Sequence, residues 1–264
     1  MNLQPSTVFV GMFDVLGFKA LREQKGTAGL HQQYTRGILP AIQHSAAGKS
    51  KSTVIDGQNV LVPDFTGTTL RYRVFSDTVI YFSPDDSFES FVNIVNSAFS
   101  LLQYGFAGGQ SPFRGAIGWG DLIEDSRGIL LGSAIEDAYI GESSQAWAGA
   151  MLTATCRDFA ERHDYLENYK RVHLEAAARA QEEIKRLSAA ENSKRLVLYE
   201  VPIQKNPKDG PAVYETQHAY AIDWTLRMYE GAANQSFMPT RSGHAQTLAT
   251  NTQEFEAWAR QHNR

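Results

Sequence analysis

The segment Thr7–Leu16, TVFVGMFDVL, is β-branched and aromatic throughout and carries one charge, Asp14. Its length and composition predict a fully buried central strand, and a strand of that kind exists only inside a sheet covered by other elements. The carboxylate is the anomaly in it. Burying an unpartnered charge costs several kcal/mol, comparable with the roughly 5–15 kcal/mol that holds a whole domain together. Asp14 therefore needs a cation.

A second carboxylate stands in a comparable place. Leu70 to Ser83 reads LRYRVFSDTVIYFS, two strand-like runs that meet at Ser76-Asp77 with room for only a tight turn, which predicts a β-hairpin with Asp77 at its tip. From that tip Asp77 can reach the end of the first strand. Two such carboxylates make a hard, oxygen-only site suited to Mg²⁺ or Mn²⁺, which keep their other positions for water and phosphate oxygens. The residues equally allow a plain alternative, in which Asp77 makes a turn and Asp14 pairs with an arginine.

Around these two segments the pattern alternates. Gly17 breaks the first strand, and Phe18 to about Ser45 has helical spacing until Gly48 and the polar stretch KSKST interrupt it. Phe88, Phe91, Val92, Val95 and Phe99 mark one face of a helix over Asp85–Tyr104, capped by Asp85 or Asp86. After the loop GFAGGQSP, Phe113–Ile123 reads as a strand, with a helix from near Ser133. Asp164–Lys194 mixes both charges as an exposed helix or helical pair does, and is expected to be an insertion over about 160–194. Strands at Arg195–Ile203 and His218–Trp224 and a helix at Thr252–Gln261 follow, and a single domain over 1–264 is expected, with its core at about 5–155 and C-terminal elements at 195–264.

A formal charge of −4 over 264 residues gives no basic field for a nucleic-acid backbone, whereas a small anion needs only local cations or metal ions. The one cysteine, Cys156, excludes an internal disulfide and any multi-cysteine zinc site, and its apolar stretch AMLTATCRDF points to burial. No apolar run approaches the roughly 18 residues of a membrane span, and the first residues lack a basic segment followed by a long apolar one. A cytoplasmic protein without direct membrane contact is the expectation. AAGKS (Ala46–Ser50) lacks the first glycine and the preceding strand of a phosphate-binding loop and is expected to be a mobile loop. No Gly-x-Ser-x-Gly elbow and no helical histidine pair is present, and Tyr220 and Trp224 read as core residues.

FVGMFDVLGF followed by RYRVFSDTVIYF resembles the two metal-binding elements of the class III nucleotidyl cyclases, the adenylate and guanylate cyclase family, with Ser76 where their hairpin has glycine. The resemblance runs on through FRGAIGWGDL and LGSAIEDAYIGES to about Met151. It implies an α+β fold: a ferredoxin-like βαββαβ catalytic domain, with the helical insertion and C-terminal strands added. It further implies two divalent ions, Mn²⁺ or Mg²⁺, on Asp14, Val15 and Asp77, catalysis by Asp14 and Asp77, and substrate contacts from Phe13, Gly17, Phe18, Arg73 and Glu136. Arg73 stands where the family reads the base. A guanidinium only donates, so it suits O2 and O4 of uracil or O2 and N3 of cytosine, uracil first because its second carbonyl offers another acceptor, and guanine O6 stays open as well. The family's Asn-x-x-x-Arg falls on Glu136 and Ile140, leaving Arg114 or Arg127 as replacement cations.

Arg73 and SAIEDAYIGES are together similar to the pyrimidine cyclases of bacterial Pycsar antiphage systems. That similarity implies UTP, or next CTP, as substrate, a homodimer with sites at its interface, and a downstream effector that reads cyclic UMP or cyclic CMP. A degenerate cyclase-fold module that binds nucleotide without turnover is the other expectation, consistent with the missing arginine.

Overall fold

A computed structural model of the chain describes residues 4–107, 111–184, 195–205, 213–225 and 243–262. In order it forms β1 (Ser6–Val15), α1 (Phe18–Gln33), a π-helical turn (Tyr34–Ile38), α2 (Leu39–Ala47), β2 (Ser50–Ile55), β3 (Gln58–Pro63), β4 (Arg71–Phe75), β5 (Thr78–Phe82) and α3 (Phe88–Ala107). Then come β6 (Phe113–Glu124), β7 (Leu130–Leu131), α4 (Ser133–Ser144), β8 (Gly149–Leu152), α5 (Ala154–Arg162), α6 (Tyr165–Ile184), β9 (Leu196–Lys205), β10 (Val213–Ile222) and α7 (Gly243–His262).

β1 runs antiparallel between β5 and β6, and the main sheet reads β4-β5-β1-β6-β8-β10-β9, with β7 paired to β6. Helices join β1 to β4 and β5 to β6, so the first half is a βαββαβ unit whose strands lie in ferredoxin-like order. The fold is α+β, as the sequence implies. β8 adds parallel to β6, and the antiparallel β9–β10 hairpin completes the far edge.

Strand alternation splits the sheet's side chains between two unequal cores. One face carries Phe9, Phe13, Val15, Val79, Tyr81, Phe113 and Ile117, all buried. α3 lies in the same cluster with a stripe of Phe91, Ile94, Val95, Ala98, Leu101, Leu102 and Phe106. Each large member of that stripe contributes about 1.5–3 kcal/mol through burial. The other face gathers only Val8, Val10, Phe82 and Leu122 with Ala134 and Ala138 of α4. α4 sits close because β6 offers glycine there: a Cβ on Gly118 would come within 2.8 Å of the Ala134 carbonyl and the Ala138 amide.

Several local readings change. The polar stretch after Gly48 opens a hairpin, β2–β3, turning on Asp56 (φ 50°) and Gly57 (φ 76°). Both of its faces are exposed, so no alternation marks it, and the two-residue Asp-Gly turn is its one signal. AAGKS is the end of α2, where Gly48 in the left-handed region donates its N–H to the His44 carbonyl. The cap of α3 is Ser87, whose hydroxyl accepts from the Ser90 amide, while Asp85 accepts from Ser87 and Ser90 and braces that turn. α6 is not wholly exposed: Leu166 and Tyr169 are buried, and Tyr169 donates its hydroxyl to Asn96 of α3. Residues 185–194 of the expected insertion lie outside the described residues. β10 and α7 both begin earlier than their hydrophobic patterns suggest. Cys156 and Trp224 are fully buried, the latter stacked on Phe106 at 3.7 Å.

The tight fit of β1 to β6 is testable. A Cβ on Gly115 would lie 2.2 Å from the Phe13 ring and 2.7 Å from the Met12 carbonyl, whereas one on Gly37 meets nothing within 4 Å. Gly115→Ala should lower the melting temperature by roughly 3–10 °C and Gly37→Ala should not, measured by circular dichroism. Equal melting of the two variants would refute this packing.

Candidate active site

Asp14 is the penultimate residue of β1, and its neighbours in register are Thr78 on β5 and Arg114 on β6. Antiparallel partners share a face, so all three side chains project to the side where α4 packs. The β4–β5 hairpin then brings Asp77 beside them, with the Val15 amide donating to the Asp77 carbonyl at 3.0 Å. Its two-residue turn holds Ser76 at φ 57°, a left-handed conformation that glycine adopts freely and serine at a cost of about 1 kcal/mol. The serine thus keeps the turn geometry that the resemblance associates with glycine.

Asp14 has no ion-pair partner among the described residues. Burial pushes its carboxyl up to about 7, with Glu142 and Asp77 adding to the rise and Arg114 opposing it. Arg114 stands directly across the strand pair, yet its guanidinium is committed elsewhere. Its Nε donates to Glu142 Oε1 at 2.7 Å, and one terminal nitrogen donates to the Gln145 carbonyl at 3.0 Å. Glu142 is itself raised, chiefly by burial, even against the pull of Arg114. Among the described residues neither Asp14 nor Asp77 forms a side-chain hydrogen bond or an ion pair. The plain alternative, an aspartate neutralised by an arginine, is therefore not what forms here.

Three carboxyl groups and one committed arginine leave a local negative excess made of hard oxygen donors. That donor set fits a divalent ion of the Mg²⁺ or Mn²⁺ type held by one or two carboxylates. Among the described residues no three His, Cys, Asp or Glu side chains gather into a closed cage. An octahedral ion that keeps places for water and phosphate requires none.

The β1–α1 junction adds a complementary feature. Gly17 caps α1 in the left-handed region (φ 77°), with no side chain bonded to the leading amides and no acidic residue in the first turn. Those amides lie in the same short turn that follows Asp14 and are suited to an anion. Phe18 packs edge-on against Tyr34, with ring centroids 6.4 Å apart. The Tyr34 hydroxyl is buried without a hydrogen-bond partner among the described residues, and burial and Asp77 both raise its pKa.

The remaining expected residues scatter. Phe13 and Val15 turn their side chains into the opposite core, so only their backbones adjoin the site. Glu136 is exposed in the first turn of α4, whose start is tied to Asp121 through Ser133, while the far end of that helix carries Glu142 to Arg114. Arg73 shares the face of Asp14 but bonds Glu124 at 2.5 Å. Arg127 is exposed and paired with Asp125 at the far end of β6. Glu142 and Tyr34 are the site neighbours that sequence reasoning missed. Glu142 sits in a mixed polar helix with no pattern to single it out, and the π-helical turn of Tyr34 breaks the spacing that would place it.

No family model matches the chain, and no curated protein matches it. Among solved structures, the monomeric guanylyl cyclase domain of the RhoGC fusion protein from the aquatic fungus Blastocladiella emersonii is similar at 13% identity and a TM-score of 0.45, over 61% of this chain and 90% of that one. The catalytic core of a rhodopsin-guanylyl cyclase with converted specificity, in complex with ATPalphaS, is similar at 12% identity and a TM-score of 0.48, over 83% and 96%.

The electrostatics of Asp14 predict a pH signature. Its folded pKa of about 7 lies above the ordinary 3.8, so the native state holds the extra proton. Asp14's contribution to stability is fully present below about pH 4 and is lost as pH rises through about 7. Without divalent cations, Asp14→Asn should melt above the wild type at pH 8 and level with it near pH 4. Thermal denaturation across that range checks this, and parallel curves would refute the unpartnered burial.

Proposed function

We propose that this chain is a metal-dependent nucleotidyl cyclase that converts a pyrimidine nucleoside triphosphate, UTP before CTP, to a 3′,5′-cyclic mononucleotide and pyrophosphate. The observation that carries the reading is the convergence of Asp14 and Asp77, neither ion-paired among the described residues, beside the start of α1, whose leading amides no side chain caps. Two divalent ions on this pair would neutralise the triphosphate and acidify the ribose 3′-hydroxyl.

The chain's own groups complete the chemistry in this reading. Asp14, which burial holds partly protonated near pH 7, is drawn to its ionised form once a cation is beside it. The amides after Gly17 bind phosphate oxygens. Arg114, held in place by Glu142 and Gln145, is the nearest fixed positive charge to Asp14 and takes the place of the family arginine in offsetting charge at the α-phosphate. Arg73 reads the base.

In this reading the active form is a homodimer, with sites at the interface. The sheet face that carries Asp14 is covered by α4 over β1 and β6 and left open over β4, where Phe75 is 82% exposed. Tyr139 and Ile140 on the outer side of α4 are exposed as well. A single domain spanning the chain, residence in the cytoplasm, an antiphage role and an effector that reads the product belong to the same proposal. Among the described residues no helix is long and apolar enough to cross a membrane.

One observation favours a second reading. Ile140, where the family arginine falls, is 64% exposed and can offer a phosphate nothing. A cyclase fold that binds nucleotide without turnover would carry such a residue.

Incubation of the purified protein with ATP, GTP, CTP and UTP in Mn²⁺, with products resolved by mass, separates the two. One cyclic pyrimidine nucleotide is expected, with loss of at least a hundredfold in rate for Asp14→Asn and Asp77→Asn and an altered nucleotide preference for Arg73→Ala. Full activity in either aspartate variant overturns the metal site, and saturable nucleotide binding without product establishes the second reading.

A further inference from the structure

The open sheet face holds a charged cluster that neither the metal site nor the α4 packing uses. Arg71 and Arg73, two residues apart on β4, point to the same side, in register with Phe82 and Ile80 of β5. Both reach one carboxylate, Glu124 at the end of β6: Arg73 through a terminal nitrogen 2.5 Å from Oε1, and Arg71 through a terminal nitrogen on Oε2. The two guanidinium carbons lie 4.6 and 5.5 Å from the centre of the Phe82 ring. A second terminal nitrogen of Arg73 donates to the Tyr72 carbonyl at 3.1 Å.

Glu124 is well placed to act as a clamp. Its side chain is 16% exposed against 48% for each arginine. It precedes a turn fixed by Asp125, which accepts from the Arg127 and Ile129 amides, and it pairs with Leu130 of β7. Two guanidiniums this close on one face repel each other, and a carboxylate shared between them removes that repulsion while fixing the plane of each. Arg73 has five N–H donors. With one terminal nitrogen on Glu124 and the other on Tyr72, two of the five are engaged and the rest are left for a ligand.

We infer that Glu124 is a positioning residue for Arg73, setting the direction in which that guanidinium meets the base of a bound nucleotide, with Arg71 as the counter-charge that keeps the carboxylate centred. The inference rests on the proposed reading of Arg73 as the base contact. Glu124 lies on the β6–β7 turn side of the face, at the opposite end of β6 from Arg114, so its effect is confined to base selection and leaves metal binding untouched.

Binding of each of the four triphosphates, measured by calorimetry in Ca²⁺, and their turnover in Mn²⁺ test it together. Glu124→Ala should reduce the preference for the favoured triphosphate at least tenfold, through KM rather than kcat and with unchanged metal dependence, and Glu124→Gln should restore part of it. In an Arg73→Ala background Glu124→Ala should have no further effect on preference, the mark of two residues acting as one. Additive effects, or an equal loss for all four triphosphates, overturn the proposal. If the wild type binds selectively without turnover and Glu124→Ala erases that selectivity, the positioning role stands and the cyclase reading falls. Binding or turnover with no base preference in the wild type overturns the positioning role alone, and no binding of any triphosphate overturns both.

Discussion

A carboxylate at the end of the central strand, with its cross-strand arginine turned away from it, is the constraint on which the surrounding structure depends. Had Arg114 bonded Asp14, β1 would end in a satisfied ion pair and the hairpin tip beside it would be an ordinary turn. Instead Glu142 and the Gln145 carbonyl hold Arg114. Asp14 is left without an ion-pair partner among the described residues, and Asp77 is brought close enough to raise its pKa further. The free energy for that arrangement comes from the opposite face of the same strands, where Phe9, Phe13 and Val15 are buried in the larger core. Packing and candidate site thus share one strand: alternate residues of β1 face the larger core and the carboxylate cluster.

The parts legible in the sequence are those whose signal is local. A buried strand with one charge, a hairpin with two residues at its tip and a helix with an apolar stripe each announce themselves within about twenty residues, and β1, β4–β5 and α3 form where they are expected. The parts that were not legible depend on distant partners. Nothing near Glu142 in the sequence says that it will meet Arg114, and nothing near Glu124 says that it will meet two arginines more than fifty residues earlier. α6 reads as a solvated helix because its charges are spread evenly, and the burial of Tyr169 follows from distant residues, with its ring edge-on to Phe91 and its hydroxyl on Asn96, which Arg195 also bonds.

The two faces of the sheet also divide the molecule by rigidity of purpose. One is filled by aromatic rings packed edge to face, such as Phe9 on Phe91 at 5.5 Å and Phe13 near Tyr81 at 5.6 Å. The other is thin: glycines on β6 let α4 lie close over half of it, and the remaining half presents Phe75, Arg71 and Arg73 to solvent.

The β2–β3 hairpin stands apart from the main sheet and exposes Val54, Ile55 and Leu61 on a two-stranded ribbon with free backbone edges. A ribbon of that kind is a template for strand-to-strand aggregation between molecules. Lys49 and Lys51 sit at its base, where both approach Asp64, and Pro63 ends its second strand without an N–H to offer. These residues are of the kind that blunts such pairing: charge at the base of the ribbon and a missing donor at its end oppose the addition of a further strand to an otherwise apolar arm.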